Sequence, residues 1–278
     1  MSSRRHTCAW RSVSAAVTLG CIALGTHAES KLVLDGSTTV GPLAKAFAEY
    51  FMQQNPGVKI SVSESGSGNG AKSLINGTCH VATMSRAMKP EEVAAAKDKG
   101  VNVVAHIVAV DALPVLVHPS NPVKNLTVQQ VKDIFLGTIT NWKEVGGPNV
   151  KIVKVSRDTN SGTYECFEEL VMDKEKMAGD VEYVGSNGAV RQRVMSTPAA
   201  IGYAGLAFVD KRVKALAINS VAPCPATARD KSYPIARPLF MYTNGEPPAG
   251  SALERFVNLY TTDKGREIVE AIGFVPVN

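Results

Sequence analysis

Residues 31–57 read KLVLDGSTTVGPLAKAFAEYFMQQNPG, and three signals follow one another within them. Residues 31–34 suit a strand. Gly36-Ser37-Thr38-Thr39-Val40-Gly41 form a small, hydroxyl-rich corner. Residues 42–54 then put Leu43, Ala46, Phe47, Tyr50 and Phe51 at helical spacing, and Asn55-Pro56-Gly57 stops the helix. Strand, corner and helix in that order open a βαβ unit.

The order recurs along the chain. Residues 58–63 alternate as a strand, 66–70 read as a loop, 71–76 as a short helix closed by Gly77, and 80–85 as a strand. Residues 89–99 predict a helix, with Pro90, Glu91 and Glu92 early and Gly100 after its end. The apolar stretch 101–117, interrupted by Asn102, His106, Asp111 and Pro114, reads as two buried strands that carry the chain out of one lobe. Helices are expected over 127–135 with Thr127 as cap, 163–172 and 191–195, and strands over 151–155 and 200–203. Residues 233–242, with two prolines, predict the return crossing, and 251–260 with 263–271 a closing helical pair. The expected class is α/β, with mostly parallel sheets flanked by helices and two crossover strands.

Composition agrees with a globular chain: of 278 residues, 45% are apolar, 20% charged and 6% aromatic. That excludes disorder, collagen and coiled coil. The start is different. Arg4, Arg5 and Arg11 precede or flank a weakly apolar run over 12–25, and Thr26-His27-Ala28 supplies small residues at the cleavage-defining positions. Residues 1–28 therefore predict a cleaved signal peptide and a periplasmic location, the run being too short to span a bilayer. Arg4-Arg5 lacks the downstream apolar pair of a twin-arginine signal. Cys21 has Thr18 where a lipid-attachment site wants an aliphatic residue. Loss of the three arginines lowers the net charge from +5 to +2. No basic stripe with interleaved aromatics is present, which argues against nucleic acid. Cys79, Cys166 and Cys224 allow at most one disulfide, its pairing unreadable, and the scattered His80, His106 and His118 give no metal-ligand spacing.

Four corners carry the chemistry: residues 36–41, 64–70, 83–86 and 157–163. Each follows a strand. At a helix start the first N–H groups lack helical partners and the dipole is positive, while glycine admits an anion to the backbone and hydroxyls add neutral donors. Together these favour a small tetrahedral oxyanion. Gly66-Ser67-Gly68-Asn69-Gly70-Ala71 fits a dinucleotide pattern, but Arg86 stands where a ribose-binding acid belongs. The continuation Ala71-Lys72-Ser73 misses a Walker loop because Ala71 replaces its glycine. No G-x-S-x-G elbow occurs and no histidine adjoins a serine cluster, so binding fits better than hydrolysis.

Several motifs reach beyond general helix chemistry: Gly36–Val40, the Ser65–Gly68 loop with Asn76-Gly77, and Ser85-Arg86. Leu126-Thr127-Val128-Gln129-Gln130 leads to Ile134-Phe135-Leu136-Gly137 and Asn141-Trp142, and Arg157 to Thr163 and Ala200-Ile201-Gly202-Tyr203 follow. With these, the chain beyond residue 28 resembles the phosphate-binding proteins of ABC-type phosphate importers, the PstS family. The resemblance implies a two-lobed periplasmic-binding-protein fold of type II, with lobe I over 29–113 and 236–278 and lobe II over 114–235. It implies an extracytoplasmic receptor, not an enzyme, that delivers inorganic phosphate to ABC permease and ATPase subunits. Such a receptor is a monomer without cofactor or metal and meets the membrane only through the permease. Implied ligand contacts are Thr38, Thr39, Ser67 and Ser85 from one lobe and Arg157, Ser161, Gly162 and Thr163 from the other. Some members carry aspartate in place of Arg86, and that carboxylate accepts the proton of hydrogen phosphate. Here Arg86 is expected to face the ligand as a second cation, and Asp158, Glu64 or Asp35 to act as acceptor. Alternatives are a receptor for another oxyanion such as sulfate, a secreted phosphatase, or an adhesin-like protein of the same fold.

Overall fold

A computed structural model describes residues 30–277, so the expected signal segment with Arg4-Arg5 and Cys21 lies outside the described residues. The chain begins with β1 (Ser30–Gly36), α1 (Gly41–Gln54), β2 (Val58–Ser63), α2 (Ser67–Ile75), β3 (Val81–Met84), α3 (Pro90–Asp98) and β4 (Val103–Ala112). It continues through β5 (Val115–Val117), β6 (Asn125–Leu126), α4 (Val128–Leu136), β7 (Val153–Arg157), α5 (Gly162–Leu170), β8 (Glu182–Val184) and α6 (Asn187–Ser196). Then come β9 (Ala200–Tyr203), β10 (Lys214–Ala215), β11 (Ala217–Ile218) and α7 (Pro225–Arg229). β12 (Ala236–Asn244), α8 (Ala252–Val257) and α9 (Asp263–Ile272) close it.

Two five-stranded sheets result, ordered β2-β1-β3-β12-β4 and β10-β5-β9-β7-β8, with a small β11-β6 pair beside them. The sheets are mixed where mostly parallel ones were expected. In the first, β1 pairs in parallel with β2 and β3, but β12 runs antiparallel to β3 and β4. The reason is topological: β4 carries the chain out and β12 brings it back along the same edge. In the second, β7 pairs in parallel with β8 and β9, while β5 is antiparallel to β9 and β10. The two passages between the sheets are tied together by Leu113 N–H donating to the Ile235 carbonyl at 2.8 Å.

Both sheets are covered on both faces, which is why strands such as β3 and β9 are buried at every position. Leu34, Phe47, Phe256, Val269 and Phe274 form one side of the first sheet's core. Leu74, Met84, Ala96 and Phe240 form the other. Around the second sheet, Phe135, Trp142, Phe167 and Tyr203 pack on one side and Val155, Val190 and Val194 on the other. Phe167 stacks on Tyr203 with ring centroids 3.8 Å apart. Each such side chain contributes about 1.5–3 kcal/mol through burial.

Local signals explain most boundaries. Thr127 caps α4 by accepting from Gln130 N–H at 3.0 Å, while Gln130 accepts from Thr127 N–H at 2.9 Å. β1 ends at Gly36, whose φ of +135° and contact with the Thr83 carbonyl leave no room for a side chain. α2 begins at Ser67 rather than at residue 71, because the glycines are its first turn. A Cβ at Gly70 would lie 2.8 Å from Gly36 Cα, so the missing side chain lets the helix rest directly on β1. α6 likewise begins at Asn187, ahead of the expected 191. Of the two strands read from 101–117, β5 is buried, but β4 presents Ile107 to solvent at 43% exposure. Cys79, Cys166 and Cys224 are all free thiols.

Candidate functional site

The corners at the carboxyl ends of the strands meet between the two sheets. On the first lobe, Ser37 Oγ accepts from Thr39 and Val40 N–H at 3.1 and 3.3 Å, turning the chain into α1. Ser67, the first residue of α2, accepts from Ser85 N–H at 3.1 Å, and the two hydroxyls are 3.4 Å apart. On the second lobe, Ser161 caps α5 by accepting from Thr163 and Tyr164 N–H at 3.1 and 3.4 Å. Thr39 and Thr163 then join the lobes hydroxyl to hydroxyl at 2.9 Å. A Cβ on Gly162 would lie 2.5 Å from Ser67 Oγ and 2.9 Å from Ser85 Oγ, which places the start of α5 directly against both serines. Thr38, Thr39, Ser67, Ser85, Ser161 and Thr163 are all 5% exposed or less. Three helix N-termini with their partial positive charge and a shell of neutral donors therefore share one buried locus.

Arg157 stands at the end of β7, four residues before Ser161, and is 1% exposed. Its Nε donates to the Val184 carbonyl at 3.2 Å and Nη2 to the Gly185 carbonyl at 2.9 Å, which fixes the fork. Nη1 is buried and has no hydrogen-bond partner. Asp158 is the acid beside it, 3.9 Å from Nη2 and itself 40% exposed. Burial pulls the guanidinium pKa down to about 10; Asp158 and Tyr203 oppose this and Arg237 adds to it. A cation held in a dry place, its counter-charge 3.9 Å away on a partly exposed side chain, is stabilised by an arriving anion.

Arg86 behaves differently from expectation. Nη1 and Nη2 bind Glu92 in a fork at 2.7 and 2.8 Å, Nε pairs with Glu165 of α5, and Nη1 also donates to the Ala87 carbonyl at 2.9 Å. Its head group is thus directed to two carboxylates, one on each lobe. Of the acids considered as proton acceptors, Asp35 accepts from Ser65 and Ser73 hydroxyls at 2.6 Å each, and Glu64 pairs with Lys45 at 2.5 Å. Asp158 accepts from Asn160 N–H at 3.0 Å and is the one that adjoins Arg157.

Four residues of the locus were not singled out from sequence. Arg237 of β12 donates from Nη2 to Thr39 Oγ1 at 3.3 Å and to Asp111 Oδ2 at 3.1 Å, and from Nη1 to the Ser85 carbonyl at 3.3 Å. Asp111 of β4 is fully buried, and burial raises its pKa against the pull of Arg237. Asn160 bridges the lobes, donating to the Ser65 carbonyl at 3.0 Å and accepting from Gly68 N–H at 3.1 Å on its own carbonyl. Asn187 donates to Thr38 and Thr39 hydroxyls at 3.0 and 2.9 Å. The signal for Asn187 is present: Gly185-Ser186-Asn187-Gly188 is a fifth strand–corner–helix junction. Among the described residues no group of three His, Cys, Asp or Glu side chains is placed to hold a metal ion.

Residues 23–264 match the family described as PBP superfamily domain. The phosphate-binding protein PstS of Bacillus subtilis is 34% identical over 254 residues, covering 90% of this chain and 82% of that one. Protein SphX of Synechococcus elongatus is 33% identical over 258 residues, covering 87% and 76%. The crystal structure of a Clostridium perfringens protein, assigned as a phosphate ABC transporter substrate-binding protein and holding bound phosphate, superposes with a TM-score of 0.84. It is 33% identical and covers 90% of this chain and 100% of that chain. The chain belongs to the PBP superfamily and, within it, to the PstS family of phosphate-binding proteins.

Proposed function

We propose that this protein is an extracytoplasmic receptor that binds inorganic phosphate between its lobes and presents it to an ABC permease. The observation that carries the reading is the buried, unpartnered Nη1 of Arg157 beside a cluster of buried hydroxyls contributed by both lobes. The ligand set we propose is Thr38, Ser67 and Ser85 from lobe I, with Thr39 acting through the Thr163 hydroxyl it donates to, and Arg157, Ser161, Gly162 and Thr163 from lobe II. Arg86 is left out, since its two Nη groups already donate to Glu92 and its charge is paired with Glu165. The lobes divide at 113/114 and 235/236, where the chain passes between sheets.

Each charge-assisted hydrogen bond contributes about 1.5–3 kcal/mol net, against about 8 kcal/mol for micromolar binding. Six or more such bonds exceed about 8 kcal/mol, and the excess offsets dehydration of the anion and closure of the lobes. The guanidinium fork suits a tetrahedral oxyanion because two of its N–H groups point the same way. Delivery rests on partners: a permease and an ATPase receive the ligand, and the receptor acts as a monomer after removal of residues 1–28. A receptor needs no nucleophile, and no residue is assigned a catalytic role.

Calorimetric titration of the protein with phosphate, and with sulfate in competition, tests the reading. Phosphate binding at micromolar concentration or tighter supports it. Turnover of a chromogenic phosphate ester without tight phosphate binding refutes it, and preference for sulfate replaces phosphate with another oxyanion.

A further inference from the structure

Asn187 is the first residue of α6 and is fully buried. Its Oδ1 accepts from Gly205 N–H at 3.2 Å, which fixes the orientation of the carboxamide. Both hydrogens of Nδ2 are then committed, one to Thr38 Oγ1 at 3.0 Å and one to Thr39 Oγ1 at 2.9 Å. Thr39 Oγ1 also accepts from Arg237 Nη2 at 3.3 Å. A hydroxyl has two lone pairs and one hydrogen. With both lone pairs occupied, Thr39 is the donor in its 2.9 Å contact with Thr163 Oγ1, and the Thr163 hydrogen is free to point onward. Thr38 is likewise an acceptor toward Asn187, leaving its own hydrogen for the cleft.

We infer that Asn187 is a positioning and specificity residue that, from across the cleft, turns the Thr38 and Thr39–Thr163 hydroxyls into fixed donors toward an oxyanion. This rests on the receptor reading above. The chain Arg237 to Thr39 to Thr163 aligns every hydroxyl dipole in one sense, so positive ends converge on the ligand without added net charge, because Arg237 is paired with Asp111. Asn187 lies on lobe II and both threonines on lobe I, so the donor array is set only when the lobes are together. The charged groups that share this cluster are Arg237, Asp111 and Arg157.

Phosphate affinity is measured by calorimetry for the wild type, Asn187→Ala and Asn187→Asp between about pH 8 and about pH 5. A carboxylate at this position would accept from both threonines and draw their hydrogens away from the ligand. Asn187→Asp is expected to lose about 100-fold or more at the alkaline end, and Asn187→Ala about tenfold. The deficit of Asn187→Asp relative to wild type shrinks as the carboxyl protonates and becomes a donor, whereas that of Asn187→Ala stays flat. The same flat deficit in both overturns the inference. Whether or not Asn187→Asp folds, a double-mutant cycle separates hydroxyl orientation from direct repulsion between the new carboxylate and the anion. If Asn187 acts through Thr39, adding Asn187→Ala to Thr39→Val costs less than the sum of the single losses, and strict additivity overturns the inference. Absence of phosphate binding by the wild type would instead remove the receptor reading itself.

Discussion

Gly162 of α5 and Ser67 of α2 face each other across the cleft so closely that a Cβ on Gly162 would sit 2.5 Å from Ser67 Oγ and 2.9 Å from Ser67 Cβ. Serine is too short to swing clear, so the two lobes reach this contact only with glycine present. Gly162→Ala is expected to hold the lobes apart and lower phosphate affinity by about tenfold or more, with little change in unliganded stability. Calorimetry together with thermal unfolding checks this. Affinity equal to wild type would mean that the contact plays no part in the bound state.

Arg86, Glu92 and Glu165 form a latch beside the site. Glu165 pairs with Arg86 and with Lys89 at 3.3 Å, both from the other lobe, while Glu92 holds Arg86 in place. Glu165→Gln is expected to weaken phosphate binding about three- to tenfold by favouring the open form, and the deficit should narrow in concentrated salt. Arg86→Gln should follow the same pattern. A loss in Arg86→Gln as large as that in Arg157→Ala, and insensitive to salt, would put Arg86 on the ligand after all.

His106 provides a pH test that is independent of the ligand. Thr243 gives its hydrogen to the Gly245 carbonyl at 2.9 Å, so His106 Nε2 is the donor in its 3.0 Å contact with Thr243 Oγ1. Burial lowers the imidazole pKa below the ordinary 6.5, with Glu246 opposing. The folded protein therefore binds this proton less readily than the unfolded chain. The stability it supplies is present above that ordinary value and lost as pH falls through the window below it. Thermal unfolding from about pH 7 to about pH 5 should show His106→Gln, which can still donate to Thr243, losing less stability than wild type. Parallel decline of the two would show that His106 does not carry the effect.

What the sequence revealed, and what it hid, follows from how local each signal is. The unit 31–57 was legible because strand, corner and helix are set by neighbours: Gly36, the hydroxyls after it and the spacing of Leu43, Phe47 and Phe51. The Thr127–Gln130 cap was legible for the same reason. Residues 66–70 carry three glycines in five positions, which disfavours a helix and suits a loop. The tight seat of Gly70 on Gly36 reverses that preference, and it is a tertiary fact. Arg86 looked like a site cation from its motif alone; its carboxylate partners lie six residues away and on another lobe. Arg237 gave no signal at all, since it reaches Thr39 from 198 positions along the chain.

The central claim is that Arg157 is a buried cation kept for an anion. Phosphate titration of Arg157→Ala beside wild type, with thermal unfolding of both in phosphate-free buffer, tests it most directly. The account predicts a loss of at least about tenfold in affinity in a variant that still unfolds cooperatively without phosphate, where removal of a buried charge is set against the Val184 and Gly185 carbonyls left without their donor. Unchanged affinity, or a variant that binds phosphate normally once allowance is made for reduced stability, would contradict it.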